Sequence, residues 1–242
     1  MSLDPAKCDK KTLISIVIPT LNEAEGIKRV ITNIPMGTLK KMGFEVEIVV
    51  VDGCSTDGTD KIAKELGARV IYEPRKGYGR AYKTGFKEVK GDIIVTLDGD
   101  ASYPPQYIPL LIDLLVKNDL DAVFTQRIPK PGAMSVINAF GNRLLSTFIR
   151  LLFHINIKDS QSGMWVIRKS VLRDVMPRSD GMEFSEEIKI KTHLCGKRVC
   201  EFPVPYMKRI GKEKLKRLRD GLRNFLYIFV IFARSRFGRK FY

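Results

Sequence analysis

Short apolar runs alternate with helical segments through the first half of this chain. Leu13-Ile14-Ser15-Ile16-Val17-Ile18, Val46 to Val51, Arg69 to Tyr72 and Asp92 to Leu97 each read as a strand. They precede helices expected over Glu23 to Ile34, Asp57 to Leu66 and Tyr78 to Val89, and from Pro104-Pro105 onward, prolines being suited to a first helical turn. Ala122 to Thr125 adds a fifth, short strand. Apolar, β-branched runs without polar alternation belong to strands covered on both faces. Strands joined through helices pair in parallel. The pattern therefore predicts an α/β fold, a mostly parallel sheet flanked by helices.

Sheets of this kind place ligands beyond the carboxyl ends of their strands. At the end of the fourth run stands Asp98-Gly99-Asp100. Two carboxylates one residue apart at a buried strand end are costly unless a cation or hydrogen-bond donors compensate them. Mg²⁺ or Mn²⁺ bridging to a diphosphate is the natural compensation, since both prefer oxygen ligands and substrate phosphates. The alternative is a turn with two solvated aspartates. Three other loops follow strand ends: Pro19-Thr20-Leu21-Asn22-Glu23, Asp52-Gly53-Cys54-Ser55-Thr56-Asp57-Gly58, and Lys76-Gly77-Tyr78-Gly79-Arg80. Singly, each is turn and cap chemistry. The loop around Gly77 could cradle phosphate with backbone N–H groups, or be a structural turn. The order and spacing of all four together is the specific signal.

Charge separates the remainder of the chain from this sheet. The net charge is +15, and Lys208 to Tyr242 carries twelve Lys and Arg against Glu213 and Asp220. So localised an excess implies an anionic surface as partner. The same segment holds Phe225-Leu226-Tyr227-Ile228-Phe229-Val230-Ile231-Phe232, flanked by basic clusters. Aromatics between cations suit an interfacial membrane anchor, and the block is far below the roughly 20 residues a bilayer span needs. A helix expected from Val136 to His154 is broadly apolar except for the stripe Arg143, Thr147, Arg150 and His154. Nucleic acid is disfavoured as a partner, because the aromatics do not interleave with the basic residues as base-stacking platforms would. Cys8, Cys54, Cys195 and Cys200 form no CxxC pair. With no signal peptide visible, reduced thiols in a cytoplasmic protein, peripheral on the cytoplasmic face of a membrane, are the expectation.

The strings IPTLNE, VVDGCSTDGT, KGYGRA and LDGDASYPP together resemble family-2 glycosyltransferases of the GT-A (Rossmann-like) fold. Phe140-Gly141-Asn142-Arg143, Asp159-Ser160-Gln161-Ser162-Gly163-Met164 and Arg209-Ile210-Gly211-Lys212-Glu213-Lys214-Leu215 resemble the branch of dolichyl-phosphate mannose synthases. They are still more similar to archaeal-type enzymes that load a sugar from a UDP-sugar onto dolichyl phosphate. The resemblance runs from about Leu13 to Tyr227. It implies a loose N-terminus (1–12), a GT-A catalytic domain (13–207) containing an interface helix (136–154), and a membrane-associated segment (208–242). Pro19, Leu21, Glu23 and Asp52 would border the base and ribose. Asp98 and Asp100, around Gly99, would hold Mg²⁺ or Mn²⁺ across the diphosphate. Arg209 and Lys214 would close over it, and Asp159 would border the active site or serve as a turn cap.

The implied activity is inverting transfer of a hexose or N-acetylhexosamine from a nucleotide sugar to dolichyl or polyprenyl phosphate. A mannose synthase usually carries Gln two residues beyond its second metal-site aspartate. Ser102 stands there instead, which favours a UDP-sugar over GDP-mannose. An alcohol acceptor would need a carboxylate base, whereas a phosphate monoester is already anionic at neutral pH. No second acidic pair stands out. Arg127 and Arg143 are the cations expected to hold the acceptor phosphate. A GDP-mannose donor, or another lipid or glycan acceptor, is the alternative. A sugar nucleotidyltransferase would need a Gly-Thr-Arg signature after the first strand, which Pro19-Thr20-Leu21-Asn22 is not.

Overall fold

The structure is a computed structural model that describes residues 12–211 and 217–237, without the side chains of 217–220 and 237. The expected loose N-terminus, all but Thr12, and Lys214 lie outside the described residues. The strands are β1 (Leu13–Thr20), β2 (Glu45–Asp52), β3 (Arg69–Tyr72), β4 (Ile93–Thr96), β5 (Ala122–Pro129), β6 (Trp165–Arg168) and β7 (Val199–Tyr206). They form one sheet in the order β3-β2-β1-β4-β6-β5-β7. Neighbours pair in parallel except that β6 runs antiparallel to β4 and to β5. The helices are α1 (Ala24–Thr32), α2 (Met36–Lys41), α3 (Thr59–Glu65), α4 (Tyr78–Glu88), α5 (Ile108–Lys117), α6 (Val136–Phe153), α7 (Leu172–Val175), α8 (Phe184–Leu194) and α9 (Arg217–Phe237).

Side chains alternate across the strands, as the two-residue period of a strand requires. Ile14, Ile16 and Ile18 of β1 join Ile27 and Val30 of α1 and Leu111 and Leu115 of α5 on one face. Val17 joins Val49 and Val51 of β2, Tyr82 and Phe86 of α4, and Phe184 and Ile188 of α8 on the other. Both faces are covered, so the strands read as unbroken apolar runs. The first strand lies between β2 and β4, with chain connections leaving to opposite sides, and such a switch point opens a crevice at the carboxyl ends.

The antiparallel β6 is inserted between β4 and β5, pairing Val166 with Val95 and with Val123. Beyond the sheet, α6 and α9 pack together through a separate cluster. Ile149 and Phe153 of α6, Ile190 of α8, and Ile228 and Ile231 of α9 are buried in it. The ring of Phe148 lies 5.0 and 5.3 Å from those of Phe225 and Phe229. The first of these helices starts where Ser135 Oγ accepts from Asn138 N, and it stops as His154 turns left-handed at φ 55°. Among the described residues no helix is long and apolar enough to cross a membrane.

Candidate active site

The turns after β1, β2 and β4 interlock at the carboxyl ends. Register places Thr20 beside Asp52, and Thr20 Oγ1 donates to Asp52 Oδ1 across that pair (3.1 Å). The wholly buried Asp52 carboxylate also accepts from Ser55 Oγ (2.6 Å) and Ser55 N (2.8 Å), which folds the second loop back on itself. Asn22, left-handed at φ 51°, donates from its N–H to Ser55 Oγ, and its Oδ1 accepts from Thr56 N. Glu23 N–H donates to Thr59 Oγ1 at 2.8 Å, while Leu21 stays exposed. Gly99 lies so close to β1 that a Cβ there would sit 2.9 Å from Thr20 Cγ2. Pro19, Leu21, Glu23 and Asp52 are thus gathered beside Asp98-Gly99-Asp100.

Burial and the Asp100 charge push the Asp98 carboxyl up to about 7. Asp98 Oδ1 accepts from Tyr78 OH at 3.0 Å. Asp100 Oδ1 accepts from Ser102 N at 3.0 Å, and its Oδ2 pairs with the Arg209 guanidinium. The segment carrying Arg209 is held against this turn by Met207 N donating to Ser102 O and Ile210 N to Asp100 O, both at 2.8 Å. Among the described residues no group of three or more His, Cys, Asp and Glu could hold a metal ion by itself. Two carboxylates one residue apart, one of them pushed up by burial and by its neighbour's charge, fit a divalent cation whose remaining ligands come from a substrate diphosphate.

The loop around Gly77 is not free to cradle phosphate. The N–H groups of Gly79 and Arg80 donate to Gly181 O (3.2 Å) and Asp180 O (3.1 Å). A Cβ on Gly77 would collide with Asp180 O, and one on Gly79 would lie 2.7 Å from Phe184 Cβ. These glycines admit close packing of α4 against the 178–182 loop rather than against a ligand. This replaces the cradle reading.

Arg127 and Asp159 form a buried pair. Nε and Nη2 of Arg127 donate to Asp159 Oδ2 (2.7 Å) and Oδ1 (2.8 Å), and Arg127 N donates to Oδ2 (3.0 Å). Gln161 N donates to Oδ1 at 3.1 Å, so the turn-capping role is realised as well. Burial alone would raise the Asp159 carboxyl, but the Arg127 guanidinium outweighs it and holds the group at about 2. Both Asp159 oxygens are committed, which suits a counter-ion and not a proton acceptor. Below the pair, the fully buried Lys189 Nζ donates to Asp159 O and Ser162 Oγ, each at 2.6 Å, and burial lowers its amine to about 8.

A cavity of about 600 Å³ opens beside Arg127, between α6 and the start of α9. Arg127, Tyr206, Lys208 and Arg209 line its polar end, and Met134, Ile137 and Leu145 its apolar side. Arg143 is exposed on α6, next to the lining residue Asn142 but not itself part of the lining. Arg209 and Lys208 are the cations that line the cavity with Arg127. Sequence reading missed Tyr78 as a contact of Asp98. It also missed Lys189, Gln161 and Asn224, whose Nδ2 donates to Gln161 Oε1 (3.0 Å). Nothing in the string Phe184-Ser185-Glu186-Glu187-Ile188-Lys189 signals that every one of these side chains is buried.

A family model for glycosyl transferase family 2 matches residues 15–176. The chain is a family 2 glycosyltransferase. This glycosyltransferase is 34% identical over 229 residues to the low-salt glycan biosynthesis hexosyltransferase of Haloferax volcanii, covering 93% of this chain and 55% of that protein. It is 32% identical over 209 residues to the dolichyl-phosphate hexose transferase of the same organism, covering 86% of this chain and 89% of the relative. Identity to the dolichol-phosphate mannosyltransferase of Pyrococcus furiosus is 34%, over 84% of this chain and 59% of the relative. The chain thus spans little more than half the length of two of these relatives. Among solved structures, glucosyl-3-phosphoglycerate synthase of Mycobacterium tuberculosis, in complex with Mn²⁺, UDP and phosphoglyceric acid, matches with a TM-score of 0.73. The identity is 22%, over 95% of this chain and 80% of that one, so this likeness speaks to the GT-A fold alone.

Proposed function

We propose that this glycosyltransferase moves one hexose or N-acetylhexosamine from a nucleotide sugar, a UDP-sugar by preference, to dolichyl or polyprenyl phosphate. The observation that carries the reading is the cavity in which Arg127, Lys208 and Arg209 converge beside the Asp98–Asp100 turn. An acceptor that is a phosphate monoester needs cations and no base, and the site supplies cations while Asp159 is already paired with Arg127. The relatives named for dolichyl-phosphate transfer point the same way.

Asp98 and Asp100 would hold Mg²⁺ or Mn²⁺, which supplies charge neutralisation on the departing diphosphate. Pro19, Leu21, Glu23 and Asp52 form the wall for base and ribose. Arg127 presents the edge of its guanidinium left over from Asp159 to the acceptor phosphate, and Arg209 spans acceptor and donor; Lys214, outside the described residues, is the other cation that the sequence assigns to the diphosphate. The acceptor oxygen attacks the anomeric carbon as the bond to the nucleoside diphosphate breaks. The electron pair leaves on the diphosphate, and the anomeric configuration inverts. Exclusion of water matters here, because water is the competing nucleophile.

Ile137, on the apolar side of the cavity, is 73% exposed, and Val136 and Phe140 on the same helix are 85% and 69% exposed. Leu222 and Leu226 of α9 are exposed as well. Large apolar side chains next to a basic segment suit a polyprenyl tail and a lipid surface, with Arg143 at the headgroup level. Peripheral attachment to the cytoplasmic membrane face follows from this reading. Its test is a transfer assay with polyprenyl phosphate, Mn²⁺ or Mg²⁺ and a panel of labelled UDP- and GDP-sugars, scoring label in the organic phase. Label from one donor is the expected result. Nucleotide release into water, without a lipid product from any donor, would refute the acceptor.

A further inference from the structure

The Lys76–Arg80 loop has lost its reading as a phosphate cradle, yet its geometry is closely specified. Glu187 of α8 is where that specification begins. Arg178 N donates to Glu187 Oε1 and Oε2, both at 3.0 Å, and Ser179 donates to Oε2 from N (2.9 Å) and Oγ (2.7 Å). Burial would raise this carboxyl, but the donors outweigh it and hold it low. The loop so fixed presents the Asp180 and Gly181 carbonyls to the first N–H groups of α4. Only glycine at 77 and 79 lets α4 approach to this distance.

What that approach achieves is the placement of Tyr78. Its ring packs edge-on against Tyr82, with centroids 5.0 Å apart at 80°, and its hydroxyl reaches Asp98 Oδ1 at 3.0 Å. From the loop before β6, Gly163 completes the fit. A Cβ there would lie 2.6 Å from Tyr78 OH and 2.9 Å from Asp98 Oδ2, so hydroxyl and carboxylate share space that only a glycine leaves open. Gly163 is itself pinned, with its N–H donating to Tyr103 OH (2.7 Å) and its carbonyl accepting from Thr96 Oγ1 (2.7 Å). Three separate elements therefore meet on a single phenol–carboxylate contact.

We propose that Tyr78 is a positioning residue for the divalent cation: its phenol, bound to Oδ1, fixes the orientation in which the Asp98 carboxylate would meet the ion. The proposal rests on the metal-dependent reading given above. A hydrogen bond to a ligating carboxylate fixes that ligand's direction, and loss of such an outer contact lowers metal affinity about 10- to 100-fold. Tyr78 reaches no substrate in this role and acts only through Asp98.

The test uses the full chain and reads binding, not turnover. Mn²⁺ is titrated into the protein with saturating UDP, and in parallel with GDP, and free Mn²⁺ is followed by electron paramagnetic resonance. Wild type, Tyr78→Phe, Asp100→Ala and Phe86→Leu are compared, with melting temperatures recorded for each. Tyr78→Phe keeps the ring and its contact with Tyr82. It should melt like wild type while binding Mn²⁺ about tenfold more weakly. Phe86→Leu, which trims the same aromatic cluster without touching Asp98, should lower the melting temperature and leave Mn²⁺ binding unchanged. Loss of Mn²⁺ binding in Asp100→Ala together with unchanged or tighter binding in Tyr78→Phe would overturn the Tyr78 role alone. Equal binding by Asp100→Ala and wild type, or no binding by wild type with either nucleotide, would overturn the metal reading and the role of Tyr78 with it.

Discussion

Replacing Asp159 by Asn removes one charge from a place where the structure has invested four donors. Arg127 contributes N, Nε and Nη2, and Gln161 contributes N, at 2.7 to 3.1 Å. A carboxyl held at about 2 against a reference of 3.8 corresponds to roughly 2 kcal/mol of folding free energy at neutral pH. That figure is what the charge contributes after its own burial has been set against it. The substitution also strands a guanidinium whose side chain is only 11% exposed, and breaking a buried pair from one side costs about 3–5 kcal/mol. The larger range is expected, read as a lower midpoint in urea at pH 7 with unchanged m-value. Arg127→Met combined with Asp159→Leu should be less destabilised than either single change, since no charge is left unpaired. The pH dependence has a definite sign. The folded pKa is depressed, so the contribution is complete above the unfolded carboxyl pKa near 4 and is lost as pH falls through about 2. A loss below about 1 kcal/mol for Asp159→Asn would refute the argument that this pair organises the site.

Asp100→Ala should abolish sugar transfer if Asp100 holds the cation as proposed, and it should also lower the melting temperature, because Arg209 and Ser102 N lose their partner; residual metal-dependent transfer by folded protein would contradict the assignment. Gly163→Ala should cut transfer at least about tenfold with secondary structure retained by circular dichroism, since its methyl would lie between Tyr78 OH and Asp98. Lys189 provides a pH signature. The folded chain releases its proton near 8 and the unfolded chain near 10.4, so the unfolded state binds more protons between those values and stability rises with pH there. Lys189→Met should flatten that rise, about 3 kcal/mol at most, in urea melts from pH 8 to 10.

The four loops at the carboxyl ends were legible because strand periodicity and ligand placement are tied together in open α/β sheets. β3 is bounded as its apolar run suggests, and β1, β2 and β4 differ from theirs by one or two residues. The antiparallel β6 was harder to read. Four residues between two loops carry no signal of direction, and only pairing with β4 and β5 fixes it. The glycines of Lys76-Gly77-Tyr78-Gly79-Arg80 were visible, but their partner, the 178–182 loop, lies about a hundred positions away and nothing local announces it.

The element least legible in the sequence is α8. A segment with two Glu and two Lys reads as a solvated face, since charge is normally excluded from interiors. Here each of these side chains has a polar contact: Gln161 for Glu186, whose carboxyl burial pushes well up, the 178–179 backbone for Glu187, the Asp159 carbonyl for Lys189, and Glu187, one turn back on the same helix, with the Met176 carbonyl for Lys191. Such a helix is tolerated only because the loops around the site bring unsatisfied polar groups of their own to it. A site that binds two phosphate-bearing substrates, as proposed here, needs fixed cations and fixed carboxylates, and these need second partners to hold them. The buried charges of α8 are those partners. It follows that the residues hardest to identify from sequence are the ones on which the geometry of Arg127 and Tyr78 depends.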